Sequence, residues 1–310
     1  MDEDYPRTLL EFEDRFRTEE ACWAYLVRLR WPQGFRCPHC GDARAWSLQH
    51  RLFQCQGCDA MVSVTAGTIF HRSHLPLRVW FRAIWWVTNQ KSGVSAVGLQ
   101  RALGLGSYRT AWTCLHKLRR AMVRPGRERL SGDVEVDEVF IGGVEKGGGK
   151  RHVGTKALVA IAAEVKGPRI GRVRMQQIPD ASSQSLAAFV QEAVAPGALI
   201  ITDGWTAYPG LERLGYVHLP RVVRSSGQTA STLLPRVHRV AALLKRWLLG
   251  IHQGRVSREH LDDYLDEFTF RFNRRLSRHR GKLFYRLLQQ AVVIEPVPYK
   301  RLVAKRTLHG

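Results

Sequence analysis

No run of about 18 apolar residues occurs anywhere in the 310-residue chain, which excludes a membrane-spanning helix. The N-terminus lacks the basic-then-apolar pattern of a secretory signal and is acidic instead, so the expected setting is a reducing one. Acid is otherwise scarce: 27 Asp and Glu stand against 48 Lys and Arg, a net charge of +21. Eight of those acids lie within residues 1–20, so the remainder is more basic still. A compact body with that excess repels itself, and a polyanion such as nucleic acid is the partner that relieves it. The shortage is greatest between Arg213 and Arg258, where nine Lys and Arg occur and no Asp or Glu. The glycine-rich stretch Gly142–Gly149 lacks the Gly-Lys-Ser/Thr ending of a nucleotide-binding loop and reads as a basic, mobile loop at the nucleic acid. With 45% apolar and 24% charged residues, the chain is neither disordered nor collagen-like. Its length suits about two domains and a small appendage.

Six cysteines are present, and four form two tight pairs, Cys37-Pro-His-Cys40 and Cys55-Gln-Gly-Cys58. Each Cys-x-x-Cys turn aims two thiolates at one point, and the intervening segment brings the pairs together, so the set suits one tetrahedral Zn²⁺. Four thiolates close the coordination shell, and the ion is structural, giving folding energy to a segment too short for its own core. Cys22 and Cys114 lie in apolar, helical surroundings and read as packing residues.

Residues 76–123 read as helices. Pro76 starts the first, with Val79, Trp80, Ala83, Ile84, Trp86 and Val87 as its apolar stripe. Ser95 caps a short helix through Leu103, Gly104 and Gly106 make a turn, and Ser107 caps a basic helix running to about Val123. Its apolar side carries Ala111, Cys114, Leu115 and Leu118, with Arg109, His116, Lys117, Arg119 and Arg120 elsewhere. That pattern suits a helix-turn-helix with Ser107, Tyr108, Arg109 and Thr110 facing a DNA groove, and it also suits a plain helical hairpin.

From residue 133 the pattern alternates as strands do. Asp133, Glu135 and Asp137 share one face of the first strand, while Val134, Val136 and Glu138 share the other. Strands at about 156–165 and 170–178, a helix at 183–194, a buried strand Ala198–Asp203, a strand near 216–223 and a helix from about 232 give the element order of a ribonuclease H-like domain. Asp137 and Asp203 lie at or near ends of central strands, where two carboxylates converge comfortably only around a divalent cation. Glu135 competes with Asp137 for that role. A third ligand from the basic segment cannot be a carboxylate. His238 is available, and Lys245, about two turns later, projects from nearly the same side. His238 also suits a phosphate contact or a solvated position. Glu259, Asp262, Asp263, Asp266 and Glu267 read as a solvated helix face, with Glu259 or Asp263 as a fallback ligand.

Taken together, several stretches resemble the bacterial insertion-sequence transposases of the ISXO-like type, a zinc-ribbon branch of the DDE superfamily. They are Leu29-Arg-Trp-Pro32 leading into the cysteine pairs, Tyr108-Arg-Thr-Ala-Trp112, Val134-Glu-Val-Asp137-Glu-Val-Phe-Ile-Gly-Gly143, Thr202-Asp-Gly-Trp205, and Leu234-Pro-Arg-Val-His238 continuing to Gly250. The resemblance covers about residues 8–290. It implies an α/β multidomain chain: an acidic N-terminal helix and zinc ribbon at 1–66, a helix-turn-helix-like segment at 67–130, a ribonuclease H-like catalytic domain at 131–295 and a basic tail at 296–310. It implies catalysis by Asp137, Asp203, His238 and Lys245, with His238 standing where many relatives have Glu or Asn. Mg²⁺ or Mn²⁺ would be held by Asp137, Asp203 and His238, and Zn²⁺ by the four cysteines. The expected partner is double-stranded DNA, as terminal inverted repeats and as target, contacted by Ser107, Tyr108, Arg109, Lys117, Arg239 and Arg246. A homo-oligomer on DNA and a cytoplasmic, nucleoid-associated location in a bacterium complete the expectation. The alternatives are an inactive copy or zinc-ribbon regulator that only binds DNA, and a structure-specific nuclease on the same fold.

Overall fold

The computed structural model describes residues 3–124, 126–142, 156–208, 210–222, 227–254 and 256–304. The glycine-rich loop from Gly143 onward and the basic residues Lys305 and Arg306 lie outside them. The chain divides into two compact units, one of residues 1–124 with 277–304, the other centred on 125–276.

The first unit begins with helices α1 (Leu9–Arg15) and α2 (Glu19–Arg30), each capped by a threonine hydroxyl, Thr8 and Thr18. A three-stranded antiparallel ribbon follows, β1 (Ala45–Ser47), β2 (Leu52–Cys55) and β3 (Met61–Ser63). Next come α3 (Leu77–Asn89), α4 (Ala96–Leu103) and α5 (Tyr108–Ala121). Ser95 and Ser107 cap α4 and α5, and Gly104 closes α4 in the left-handed conformation, as their positions in the sequence require.

The second unit holds β4 (Asp133–Ile141), β5 (Ala157–Lys166), β6 (Arg169–Ile178), α6 (Ser183–Ala193), β7 (Leu199–Thr202), β8 (Val217–Pro220), α7 (Ala230–Leu233), α8 (Pro235–His252) and α9 (Leu261–Asn273). Its sheet order is β6-β5-β4-β7-β8, with β4, β5 and β6 antiparallel and β7 and β8 parallel to β4 and to each other. Strand β5 is buried from Ala157 to Glu164, as a central strand covered on both faces must be. On one face Val134, Val136 and Ile200 pack with Leu186, Phe189 and Val190 of α6. On the other, Val159, Ile161 and Val173 pack under Val237, Val240 and Leu244 of α8 and Leu265 and Phe268 of α9. The result is the mixed α/β sheet with helices on both sides expected of a ribonuclease H-like domain.

Helices α10 (Arg280–Ala291) and α11 (Tyr299–Val303) return to the first unit. The expected catalytic domain runs to residue 295, whereas residues 277–304 fall in the first unit. The return has an aromatic cause: Phe284 of α10 sits among Phe12, Phe16, Tyr25, Phe81 and Trp85, with ring centroids 5.4–6.5 Å away. Gly281 permits the approach, because a Cβ there would lie 1.6 Å from the Pro6 carbonyl oxygen.

Candidate metal and catalytic sites

The ribbon brings its four cysteines to one point. Cys37 and Cys58 Sγ lie 3.7 Å apart, Cys40 and Cys55 Sγ 3.4 Å, and all four sulfurs fall within 4.8 Å of one another. Thiolates at the usual Zn–S bond length form a tetrahedron with edges of about 3.8 Å, so the cluster has the size the ion needs. Each knuckle closes through its own backbone: Gly41 N–H donates to the Cys37 carbonyl, and Asp59 N–H to that of Cys55. Phe53 anchors the ribbon against Trp23, Trp31 and Phe35, at 5.3–5.6 Å between centroids. Cys22 and Cys114 are fully buried, and burial pushes both thiols up to about 12, consistent with packing.

In the second unit the parallel pairing of β4 and β7 runs Asp133 to Leu199, Val134 to Ile200 and Glu135 to Ile201. Continued by two residues, the same register sets Asp203 opposite Asp137. The turn off β7 holds Asp203 in place. Its Oδ1 accepts the Trp205 N–H at 3.0 Å, and the residue between them is Gly204 at φ +80°, where a Cβ would meet Val222 Cγ2 at 2.6 Å. His238, in the first turn of α8, points its Nε2 at Asp137 Oδ2, 3.5 Å away.

Electrostatics mark this corner. Burial first, then the charges of Glu138 and Asp203, push the Asp137 carboxyl up to about 7. Burial, with help from the Lys245 charge, lowers His238 below its ordinary value against the pull of Glu135 and Asp203, which favours the neutral imidazole. Glu138 is held by Tyr208, whose hydroxyl donates to Oε2 at 2.9 Å. Burial raises the Tyr208 phenol well above its usual range, which keeps it a donor. The Asp137 carboxyl and the His238 ring are donors of the kind a divalent cation takes, with the Asp203 charge near enough to act on both.

The Asp137 shift has a stability consequence with a definite sign. Folding raises this carboxyl from 3.8 to about 7, so its contribution is complete below pH 4 and is lost as pH rises through 7. Without added Mg²⁺ or Mn²⁺, Asp137→Asn is therefore expected to stabilise the second unit by about 2–4 kcal/mol at pH 8. The effect should vanish at pH 4. Calorimetry across that range checks it, and a flat difference would show that the carboxyl is not strained.

Other predicted residues are distributed as follows. Lys245, Arg239 and Arg246 are exposed on α8, with Lys245 near enough for its charge to act on His238. Glu135 does not join the carboxylate cluster: it is 1% exposed, and its oxygens accept the backbone N–H groups of Arg236 and Val237 and the Arg236 side chain. Asp263 and Glu267 are buried at 3% and 1%, which corrects the solvated face expected for that helix. Glu267 pairs with Arg271 one turn on, and neighbouring Asp262 accepts the Gln177 N–H on the edge of β6.

In the first unit Tyr108 and Arg109 are exposed at the start of α5, and the Arg109 guanidinium lies 3.8 Å over the Tyr299 ring. The Ser107 hydroxyl is occupied as the cap, accepting the Thr110 N–H at 3.1 Å. Arg109 and Lys117 line a groove of about 700 Å³ with His71, Arg72, His74 and Tyr299. Burial lowers the Lys117 ammonium from its ordinary value. His116 and Arg119, expected away from the apolar side, are buried, with Arg119 Nη1 3.2 Å from His116 Nε2.

A mixed α/β sheet in one unit and a four-thiol ribbon in the other suit a nuclease-type enzyme with a zinc-binding module. Comparison with known proteins agrees: residues 129–273 match the ISXO2-like transposase domain, and residues 17–61 the transposase zinc-ribbon domain. The chain thus carries stretches similar to two domains found in insertion-sequence transposases. A relative in Halobacterium salinarum, described as an uncharacterized protein in transposable element ISH50, is 27% identical over 289 residues, spanning 86% of this chain and 94% of that one. Among the described residues no helix is long and apolar enough to cross a membrane.

Proposed function

We infer that the chain is a DNA transposase that binds the terminal repeats of an insertion sequence and carries out metal-dependent strand cleavage and strand transfer. What supports this reading is the 3.5 Å approach of His238 to Asp137, with the Asp203 charge acting on both, within a match to a transposase domain. Asp137, Asp203 and His238 would hold the cation. When bound, it supplies Lewis-acid activation of an attacking oxygen and neutralises phosphate charge. The protein's own work is to position and to screen. Asp137 would anchor the cation from β4 and Asp203 from the turn at the end of β7, and the His238 imidazole would offer a lone pair from α8. Lys245 presents a compact charge to phosphate from the same helix. Arg239 and Arg246 extend that basic side along the DNA, and Ser107, Tyr108, Arg109 and Lys117 contact the repeat. Zn²⁺ in the ribbon is structural. Assembly as a homo-oligomer on DNA and a nucleoid-associated location in a bacterial cytoplasm belong to the same reading.

Imidazole is a poorer ligand for Mg²⁺ than for Mn²⁺, so nicking of a terminal-repeat duplex is expected to run about tenfold faster with Mn²⁺. His238→Glu is expected to reverse much of that preference. Absence of nicking with either ion would leave a DNA-binding protein only, and a ratio unmoved by the substitution would remove His238 from the ligand set.

A further inference from the structure

Helix α8 carries His238 but has no cap of its own. Leu234 precedes it with no side chain to offer, and Pro235 at its first position has no N–H. The remaining first-turn donors are Arg236 and Val237, and both amides reach one buried oxygen, Glu135 Oε2, at 2.7 and 2.9 Å. The other oxygen, Oε1, accepts from Arg236 Nη1 at 2.8 Å. His238 N–H then makes the first bond to the Leu234 carbonyl, so the helix start is accounted for donor by donor. Arg236 Nη2 also donates to the Gly167 carbonyl in the β5–β6 turn, tying the same side chain to the sheet.

Glu135 stands two residues before Asp137 on the same face of β4, and Val237 stands one before His238. Strand and helix thus meet in two adjacent rungs, Glu135 to the Val237 amide and Asp137 to the His238 ring. We propose that Glu135 is a positioning residue that sets the third ligand: its carboxylate fixes the start of α8, and thereby the reach of His238 to the cation shared with Asp137 and Asp203. This rests on the metal-site reading above. Glu135 itself is not a ligand, because both of its oxygens are spent on the helix.

Reach, more than charge, is what this role demands, and that separates it from ligation and from general support. Mn²⁺ affinity of the zinc-loaded full chain, titrated by electron paramagnetic resonance, reads it without turnover. Glu135→Asp keeps the charge but falls one methylene short of the helix, and is expected to weaken Mn²⁺ binding about tenfold, as loss of a ligand-orienting partner does. Glu135→Gln keeps one oxygen for both amides but turns its NH2 toward the Arg236 guanidinium, so it should bind Mn²⁺ closer to the unaltered chain than Glu135→Asp does. In a His238→Ala background, Glu135→Asp should cost nothing more, since the residue through which it acts is gone. Undiminished loss in that background, no loss in Glu135→Asp alone, or a Gln variant as defective as Asp137→Asn would each overturn the assignment. Asp137→Asn is the control for the underlying site: if it leaves Mn²⁺ binding intact, the metal-site reading falls and takes the Glu135 role with it. If it abolishes binding while Glu135→Asp does not, only the Glu135 role falls.

Discussion

Asp137→Asn is expected to lower metal-dependent cleavage of a terminal-repeat duplex by about 10³-fold or more while leaving duplex binding nearly unchanged, because a cation's charge stabilisation is worth several kcal/mol in the transition state. The amide has the size and shape of the carboxyl, so β4 keeps its register with β7 and the packing beneath it. What disappears is the negative oxygen facing His238 Nε2 across 3.5 Å. Asp203→Asn should do the same, since its carboxylate stands one residue past the end of the neighbouring strand. Of the residues proposed to hold DNA, Arg239 and Arg246 are exposed on α8, Ser107, Tyr108 and Arg109 at the start of α5, and Lys117 is half-buried further along α5; neither substitution touches them. Gel shift and nicking on the same duplex make the comparison. Retained nicking would remove these acids from the chemistry, and lost binding would mean they act on DNA retention instead.

The same substitution moves stability the other way. Burial, with the charges of Glu138 and Asp203 added, pushes Asp137 up to about 7 at a cost in stability, and the Asn variant escapes it. A corner that is destabilised when empty and needed for turnover is the compromise expected of a catalytic site. A buried carboxyl placed only for structure would show the opposite, with loss of stability on neutralisation.

Local pattern carried much of this in the sequence. Cysteine spacing, the alternation along β4, and serine caps before α4 and α5 each report a contact made within a few residues. The distant contacts were not readable. Alternation puts Glu135 on the face of Asp137, but nothing local says that it caps a helix about 100 residues later. Glu19 repeats the device in the first unit, where its two oxygens accept the Leu77 and Arg78 amides at the uncapped start of α3. Both helices begin at a proline with no capping hydroxyl, and that gap was the available signal. Burial of His116, Arg119, Asp263 and Glu267 was hidden for a related reason, since charge along a helix reads as solvated until its partners are known. The return of Phe284 to Phe12 depends on ring packing across more than 250 residues, which no periodicity encodes.

Zinc removal is expected to be the largest structural perturbation the chain can suffer short of unfolding. Strands β1 and β3 have three residues each and β2 four, too little to bury a core. Structural zinc in such ribbons supplies about 10–16 kcal/mol of apparent folding energy, more than a small domain's whole stability. Chelation, or Cys55→Ser at the fully buried ligand, should therefore unfold residues 37–63. The damage should spread to α2, whose Trp23 stacks on Phe53 and whose Arg30 donates to the Ser63 and Val64 carbonyls. Hydrogen exchange should then show lost protection from α2 through β3, while the β4–β8 sheet keeps its own. Metal analysis should return one zinc per chain before treatment. Protection that survives quantitative zinc loss would mean that the aromatic cluster around Phe53 holds the ribbon unaided. Because the two largest losses arise in separate units, chelation that spares Mn²⁺ binding at Asp137 would show the ribbon and the catalytic corner to be energetically independent, and a joint loss would show them coupled.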